Sequence, residues 1–234
     1  MIEEKGTHGV NDESESLPEV VPVFPLPEIV LFPRAMLPLH VFEPRYQAMT
    51  VDALAGDGAI AVALLRPGFE PLYYTRHAPI HPILGLGRIV ASEELEEGKY
   101  NILIRGEARG RLIEELSGHP YRRARVEQVR PFCHQAEPAL QKLRRALHHA
   151  VRDSPFGDAD VRKHWSSLLK MPLGLGDATD LIVSGLPMDG ELKQCFLAEA
   201  DVPARAAMLL NEIRTLSAVT RQRRRLADDE WKLN

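Results

Sequence analysis

The chain has 234 residues, 44% of them hydrophobic, and a formal net charge of −4. Its length is sufficient to bury a substantial core, in one large domain or in two smaller ones. The longest uninterrupted apolar run covers residues 59–65, far short of the ~20 residues that a transmembrane helix needs. The negative charge argues against a dedicated nucleic-acid-binding protein, because phosphate contacts require a basic surface.

The N-terminal stretch and the two cysteines indicate the setting in which the chain works. Residues 1–18 are acidic and lack an apolar core, which predicts a disordered tail and not a secretory signal. Cys133 and Cys195 lie far apart and have no neighbours at metal-ligand spacing. We therefore expect a reduced cytoplasmic protein without a disulfide, a metal or a cofactor.

The stretch FPLPEIVLFPRAMLPLHVFEPRY, residues 24–46, combines five prolines with a high density of large apolar side chains. Proline cannot donate to a sheet, so it divides the segment into short extended pieces, predicted at Ile29–Phe32 and Met36–Val41. Its last five residues read as a structural motif that opens a helix ending at Gly56, with Pro44 in the first turn and a first-turn N–H bonded to the Glu43 carboxylate. The motif consists of Phe42, Glu43, Pro44, Arg45 and Tyr46.

The predicted secondary structure changes from strands to helices near residue 130. Residues 59–129 hold short apolar or alternating runs separated by turns, which predict strands, with YNILIRG and ARGRLIEEL as two of them. After a linker at residues 131–138 the apolar period approaches 3.6, which predicts helices from residue 139 onward. We therefore predict an α+β chain with a β domain at 19–130 and a helical bundle at 139–234, whose last helix is long.

One loop offers a candidate binding site. The segment RPGFEPLYYTRHAPIH, residues 66–81, holds a phenylalanine, a leucine and two adjacent tyrosines among prolines and charges. Rigid aromatic residues on loops are good recognition anchors, but the same rings could instead cover the open end of a β barrel. Both interpretations stay open for Phe69, Leu72, Tyr73 and Tyr74.

The order of motifs resembles the N-terminal, substrate-binding domain of the ATP-dependent Lon proteases, and the stand-alone bacterial proteins built from that domain alone. The resemblance rests on VPVFPLPEIVLFPRAMLPLHVFEPRY at 21–46, LRPGFEPLYY and PIHPILGLGRIV within 65–90, EEGKYNILIRGEARGRLIEEL at 96–116, YRRARVE at 121–127 and LKQCFLAEADVPARAAML at 192–209. It implies a PUA-like β pseudo-barrel followed by an α-helical bundle.

The resemblance also implies a function without catalysis. The sequence has no G-x-x-x-x-G-K-[ST] phosphate loop, and no catalytic residue is expected. The leading hypothesis is a non-enzymatic module that binds apolar or unfolded polypeptide segments through the β domain and the groove beside the bundle, and it leaves room for a separate protease as a partner. The alternative is an RNA-binding PUA-like protein, whose phosphate contacts would come from Arg105, Arg109, Arg111, Arg122, Arg123 and Arg125.

Overall fold

The structure of the chain is a computed structural model that describes residues 17–155 and 158–232. The acidic tail predicted for residues 1–18 therefore lies, apart from Leu17 and Pro18, outside the described residues. The described part is a mixed α+β fold, which confirms the predicted class: a six-stranded sheet precedes a series of helices.

The strands come before the α-helices in the chain, except that α1 lies between β2 and β3. The strands are β1 Val20–Leu26, β2 Met36–Val41, β3 Ala59–Leu64, β4 Ile83–Glu94, β5 Tyr100–Leu116 and β6 Arg122–Val129. The helices are α1 Pro44–Ala55, α2 Glu137–Arg152, α3 Ala159–Leu168, α4 Leu175–Gly185, α5 Gly190–Ala198 and α6 Val202–Lys232. Helix α2 begins inside the stretch predicted as a linker, because Pro138 occupies its first turn.

The strand order is β2-β5-β4-β3-β1-β6, and β5 also pairs with β6. Strand β5 can serve three neighbours because it is 17 residues long: its first part pairs with β2 and β4 and its last part with β6. The sequence predicted two strands here, and the structure joins them into one. Strands β1 and β3 pair in parallel, which requires the long crossover through β2 and α1.

Strand β3 lies in the interior of the sheet, between β4 and β1. All six of its residues are buried, as expected of a strand with both faces covered. Ala61 and Ala63 join one hydrophobic cluster of the sheet, and Ile60 and Val62 join another on the opposite face. The alternation of side chains along a strand accounts for this division.

The extended piece predicted at Ile29–Phe32 is not a strand of the sheet, because this segment crosses the sheet and does not pair within it. Its backbone lies against two glycines: a Cβ at Gly85 would meet the oxygen of Leu31 at 2.1 Å, and a Cβ at Gly106 would meet the oxygen of Phe32 at 2.0 Å. Leu31 and Phe32 are both buried, the first in a sheet cluster and the second in the cluster of the helices. Apolar composition alone could not distinguish this crossing from a strand.

A buried ion cluster joins the strands to the helices. The Arg109 guanidinium on β5 donates to the Asp180 carboxylate of α4 at 2.7 Å and to the backbone oxygen of Leu197 at 2.9 Å. Arg205 of α6 places its Nε 3.0 Å from the same Asp180 oxygen. Gln194 of α5 adds a hydrogen bond to the oxygen of Ile83 on β4. These contacts fix the helices against one end of the sheet.

Candidate functional site

The motif at residues 42–46 opens helix α1, with Pro44 as its first residue. The prediction that the Glu43 carboxylate bonds a first-turn N–H is wrong: that side chain makes no capping bond and instead binds the Arg45 guanidinium at 2.9–3.0 Å. The backbone oxygen of Glu43 accepts from the N–H groups of Tyr46 and Gln47 instead. An adjacent full positive charge attracts the carboxylate more strongly than the partial charge of the helix end.

Tyr46 and Phe42, both in the motif, have different environments. Tyr46 is buried; its ring lies 4.4 Å from that of Phe24, tilted by 35°, and the Arg45 guanidinium lies over it at 4.5 Å. Burial raises the pKa of Tyr46 to about 12. Phe42, by contrast, is 59% exposed. Four residues of the motif therefore pack or pair at the start of α1, and Phe42 faces solvent.

The candidate loop follows β3 and closes on itself at its base. The N–H of Arg66 donates to the oxygen of Pro79 at 2.9 Å, and the N–H of His81 donates to the oxygen of Leu64 at 3.0 Å. We call residues 66–79 the aromatic loop. A compact surface loop with adjoining ends has the character of an Ω-loop, a class that frequently carries function.

Hydrogen bonds within the aromatic loop hold its shape. The Glu70 carboxylate accepts from the N–H of Gly68 at 2.8 Å, which lowers the pKa of Glu70. The Tyr73 hydroxyl donates to the oxygen of Arg66 at 2.8 Å, and the Thr75 hydroxyl donates to the oxygen of Leu72 at 2.7 Å. The loop is therefore ordered before it meets a ligand.

The four predicted site residues differ in their exposure to solvent. Phe69, Leu72 and Tyr74 are exposed to 42%, 38% and 83%, and none of them belongs to a hydrophobic cluster of the described core. Tyr73 is half-buried and its hydroxyl ties the loop to Arg66. Three apolar side chains are thus presented to solvent, and the fourth supports the loop from within.

The aromatic loop and the start of α1 adjoin through Arg45. Its Nη2 donates to the backbone oxygen of Tyr73 at 3.5 Å while the same guanidinium is held by Glu43. Sequence reasoning left Arg45 with a local role only, and missed this support of the loop. No local pattern in the sequence indicates this contact, because Arg45 and Tyr73 are 28 residues apart.

The arginines considered for phosphate contacts do not form one exposed stripe. Arg109 is buried on Asp180, and Arg122 is buried between the Glu115 carboxylate and the backbone oxygen of Ala78. The latter bond pins the end of the aromatic loop to β6. These two cations are used inside the protein and cannot reach a phosphate backbone.

No group of three or more histidine, cysteine, aspartate or glutamate side chains within residues 17–155 and 158–232 could hold a metal ion. Among the described helices, none combines the length and the apolar character needed to cross a membrane.

Comparison with known proteins supports this reading of the fold and of the sequence. The family model of the ATP-dependent protease La (LON) substrate-binding domain matches residues 20–215. Lon protease 2 of Myxococcus xanthus is 28% identical over 196 residues, which cover 84% of this chain and 24% of that protein. The Lon protease of Syntrophus aciditrophicus is 26% identical over 205 residues, again 84% of this chain and 25% of that protein.

Solved structures show the same fold. The N-terminal domain of the Mycobacterium avium complex Lon protease superimposes with a TM-score of 0.63 at 15% identity, over 83% of this chain and 98% of that one. The Lon N-terminal domain protein from Xanthomonas campestris gives a TM-score of 0.59 at 21% identity, over 82% and 97% of the two chains. The chain spans about a quarter of the length of the curated relatives that it matches. On the match over residues 20–215, the chain belongs to the Lon substrate-binding domain family.

Proposed function

We propose that this chain is a non-enzymatic polypeptide-binding module whose aromatic loop captures exposed apolar segments of unfolded proteins. Phe69, Leu72 and Tyr74 are the contact residues, and Tyr73 and Arg45 hold the loop in place. The observation that carries the proposal is the combination of exposed apolar side chains with a loop whose own hydrogen bonds are already made. The family to which the chain belongs is defined by substrate binding.

Physical chemistry favours binding by this arrangement. Large apolar side chains in solvent gain about 25 cal/mol for each Å² of apolar surface that a partner covers. A loop that is ordered in advance loses little conformational freedom on binding, so more of that gain becomes affinity. Tyrosine is suited to this task because its ring is apolar and its hydroxyl can stay hydrated.

The non-catalytic part of the proposal rests on the sequence. ATP hydrolysis by a P-loop needs backbone N–H groups that cradle the phosphates, a lysine and a metal-binding hydroxyl. The segment EEGKY at 96–100 has the glycine and lysine, but Tyr100 stands where that hydroxyl would be needed. A separate protease is then the kind of partner that could receive a bound polypeptide.

The proposal extends to the architecture of the binding module. The pairing of β5 with both β4 and β6 supports a PUA-like pseudo-barrel for residues 19–130. The helices from α2 to α6 support a bundle over residues 139–234 that ends in a long helix. In this arrangement the aromatic loop belongs to the barrel.

RNA binding, the alternative, has less support. Its proposed stripe loses Arg109 and Arg122 to the interior, and Arg105 is paired with Glu107 at 2.9 Å. Arg125 lies close to the Glu19 and Glu114 carboxylates. Acidic partners at these positions reduce the positive field that a phosphate backbone needs.

The proposal is tested by comparing two states of one client protein. Fluorescence anisotropy would measure binding of a labelled client to the chain, once with the client permanently unfolded and once with it folded, without ATP. We expect saturable binding to the unfolded state that persists at raised salt, because apolar contacts are not screened. Equal affinity for the folded client, or loss of binding at raised salt, would show that another contact is responsible.

A further inference from the structure

A basic cleft lies between α2 and α3, away from the aromatic loop. Its volume is ≈ 490 Å³, within the range of about 300–1,000 Å³ that is usual for small-molecule sites. Its described lining residues include four cationic side chains and no carboxylate. The cations are Arg152, Arg162, Lys163 and Lys170.

This concentration of positive charge contrasts with the net charge of −4 of the whole chain. At the rim, Arg152 pairs with Asp153 at 2.7 Å and Lys163 pairs with Asp160 at 3.4 Å. Both pairs are largely exposed, so each contributes little and can be exchanged for a ligand. Lys170 has no carboxylate partner among the described residues.

The lining residues are arranged in rows along the two helices. Arg162, Ser166 and Lys170 recur at intervals of four, which places them along one face of α3 and the turn that follows it. The row extends over about 12 Å, at 1.5 Å for each residue. His148 and Arg152, also four apart, form the wall on α2.

The cleft is also lined by serine hydroxyl groups and by His148. Ser166 brings a hydroxyl group between the cations, whereas the Ser167 hydroxyl donates to the backbone oxygen of Lys163 at 2.9 Å. The Nε2 atom of His148 is buried and has no hydrogen-bond partner among the described residues. Burial, with the nearby charges of Lys170, His149 and Arg152, lowers the pKa of His148, against the opposing effect of Asp153. The α2 side of the cleft therefore keeps the positive charge of Arg152 even when His148 is neutral.

We propose that this cleft binds a soluble oligophosphate, an anion with two or three linked phosphate groups. Two cations about 12 Å apart along the axis of α3, with Arg152 and Lys163 beside them, suit an elongated anion with several charges better than a single phosphate. Arginine and lysine with interspersed hydroxyl groups are the donors that phosphate oxygens prefer. Among the described lining residues there is no phenylalanine, tyrosine or tryptophan, so these residues offer a nucleotide base no aromatic ring to stack on. The site is independent of the polypeptide-binding proposal.

Isothermal titration calorimetry with sodium tripolyphosphate at constant ionic strength tests the proposal. The variant is Lys170→Gln, and the matched control is Lys142→Gln, an exposed lysine on α2 that does not line the cleft. We expect saturable binding by the unmodified chain, about tenfold weaker binding by Lys170→Gln and unchanged binding by Lys142→Gln. Thermal unfolding without ligand confirms that both variants fold.

Three further arms identify the source of the phosphate. ATP should bind no more tightly than tripolyphosphate, and inorganic phosphate should bind more weakly than either. Vesicles containing phosphatidylglycerol should bind no more than neutral vesicles. The proposal is overturned by absence of saturable tripolyphosphate binding, by equal weakening in the two variants, by inorganic phosphate binding as tightly as tripolyphosphate, by preference for ATP, or by Lys170-dependent attachment to the anionic vesicles.

Discussion

The Nη2 atom of Arg109 lies 2.7 Å from the Oδ1 atom of Asp180, and both side chains are 2% exposed. Asp180 also faces Arg205, so one buried carboxylate serves two guanidinium groups from different elements. Charges so deeply buried are stable only when they are paired. The pair therefore joins strand β5 to the helices and excludes Arg109 from any contact with an external ligand.

Removal of the Asp180 charge should strongly destabilise the fold. Asp180→Asn keeps the shape of the side chain but leaves two buried guanidinium groups without a counter-charge, and we expect a loss of about 3–5 kcal/mol in urea unfolding. Arg34→Gln is the matched control, since the Arg34–Asp177 pair at 2.9 Å is partly exposed. Its loss should be at most about 1 kcal/mol. Equal losses in the two variants would contradict the buried role.

Because the segment at Leu31 and Phe32 crosses the sheet against Gly106, this position should accept no side chain. Gly106→Ala would place a methyl group 2.0 Å from the Phe32 oxygen, and backbone on both sides cannot yield easily. We expect a loss of about 3 kcal/mol or more, or failure to fold. Gly56→Ala, whose added methyl meets nothing closer than 3.6 Å, should be nearly neutral. A stable Gly106→Ala protein would show that the segment is not seated between these strands.

The pairing of Glu43 with Arg45 can be measured by a double-mutant cycle. We expect the coupling free energy between Glu43→Ala and Arg45→Ala to be about 0.5–1 kcal/mol, as for a partly exposed ion pair. If Glu43 instead stabilised the helix by accepting a backbone N–H, its effect would persist in the Arg45→Ala background. Chemical denaturation of the four proteins separates the two cases.

Tyr121 makes the fold sensitive to alkaline pH. Burial, and the bond of its hydroxyl to the Asp52 carboxylate at 2.6 Å, raise the pKa of Tyr121 from 10.0 to about 12. The folded state holds this proton more tightly than the unfolded state, so the contribution is fully present below about pH 10 and is lost as the pH rises through about 12. Between these limits the unmodified chain should lose stability more steeply than Tyr121→Phe. Parallel slopes for the two proteins would contradict this assignment.

Sequence patterns predicted those parts of the fold in which local chemistry is decisive. Met36–Val41 is a strand and Pro44 begins a helix, because proline restricts the backbone wherever it stands. The spacing of apolar residues located the change from strands to helices, because it is also a local property of the sequence. The segment at Ile29–Phe32 could not be predicted, since its course depends on Gly85 and Gly106, which are distant in sequence.

The candidate site shows the same limit. Composition identified the aromatic loop but could not distinguish its two tyrosines, which differ only in what their side chains meet. Tyr73 bonds to Arg66 within the loop, whereas Tyr74 has no such partner among the described residues and is 83% exposed. The support from Arg45 depends on a contact between elements 28 residues apart. Long-range contacts of this kind leave no local pattern in a sequence.

We propose that Tyr74 is a binding anchor and not a structural residue, and the affinity of Tyr74→Ala for an unfolded polypeptide decides between the two roles. Phe132→Ala is the control, because Phe132 is an exposed aromatic residue, 46% accessible, outside the loop. We predict that Tyr74→Ala keeps its unfolding midpoint and binds roughly tenfold more weakly, a change of about 1.4 kcal/mol, while Phe132→Ala binds normally. Normal binding by Tyr74→Ala, or equal weakening in both variants, would contradict the claim.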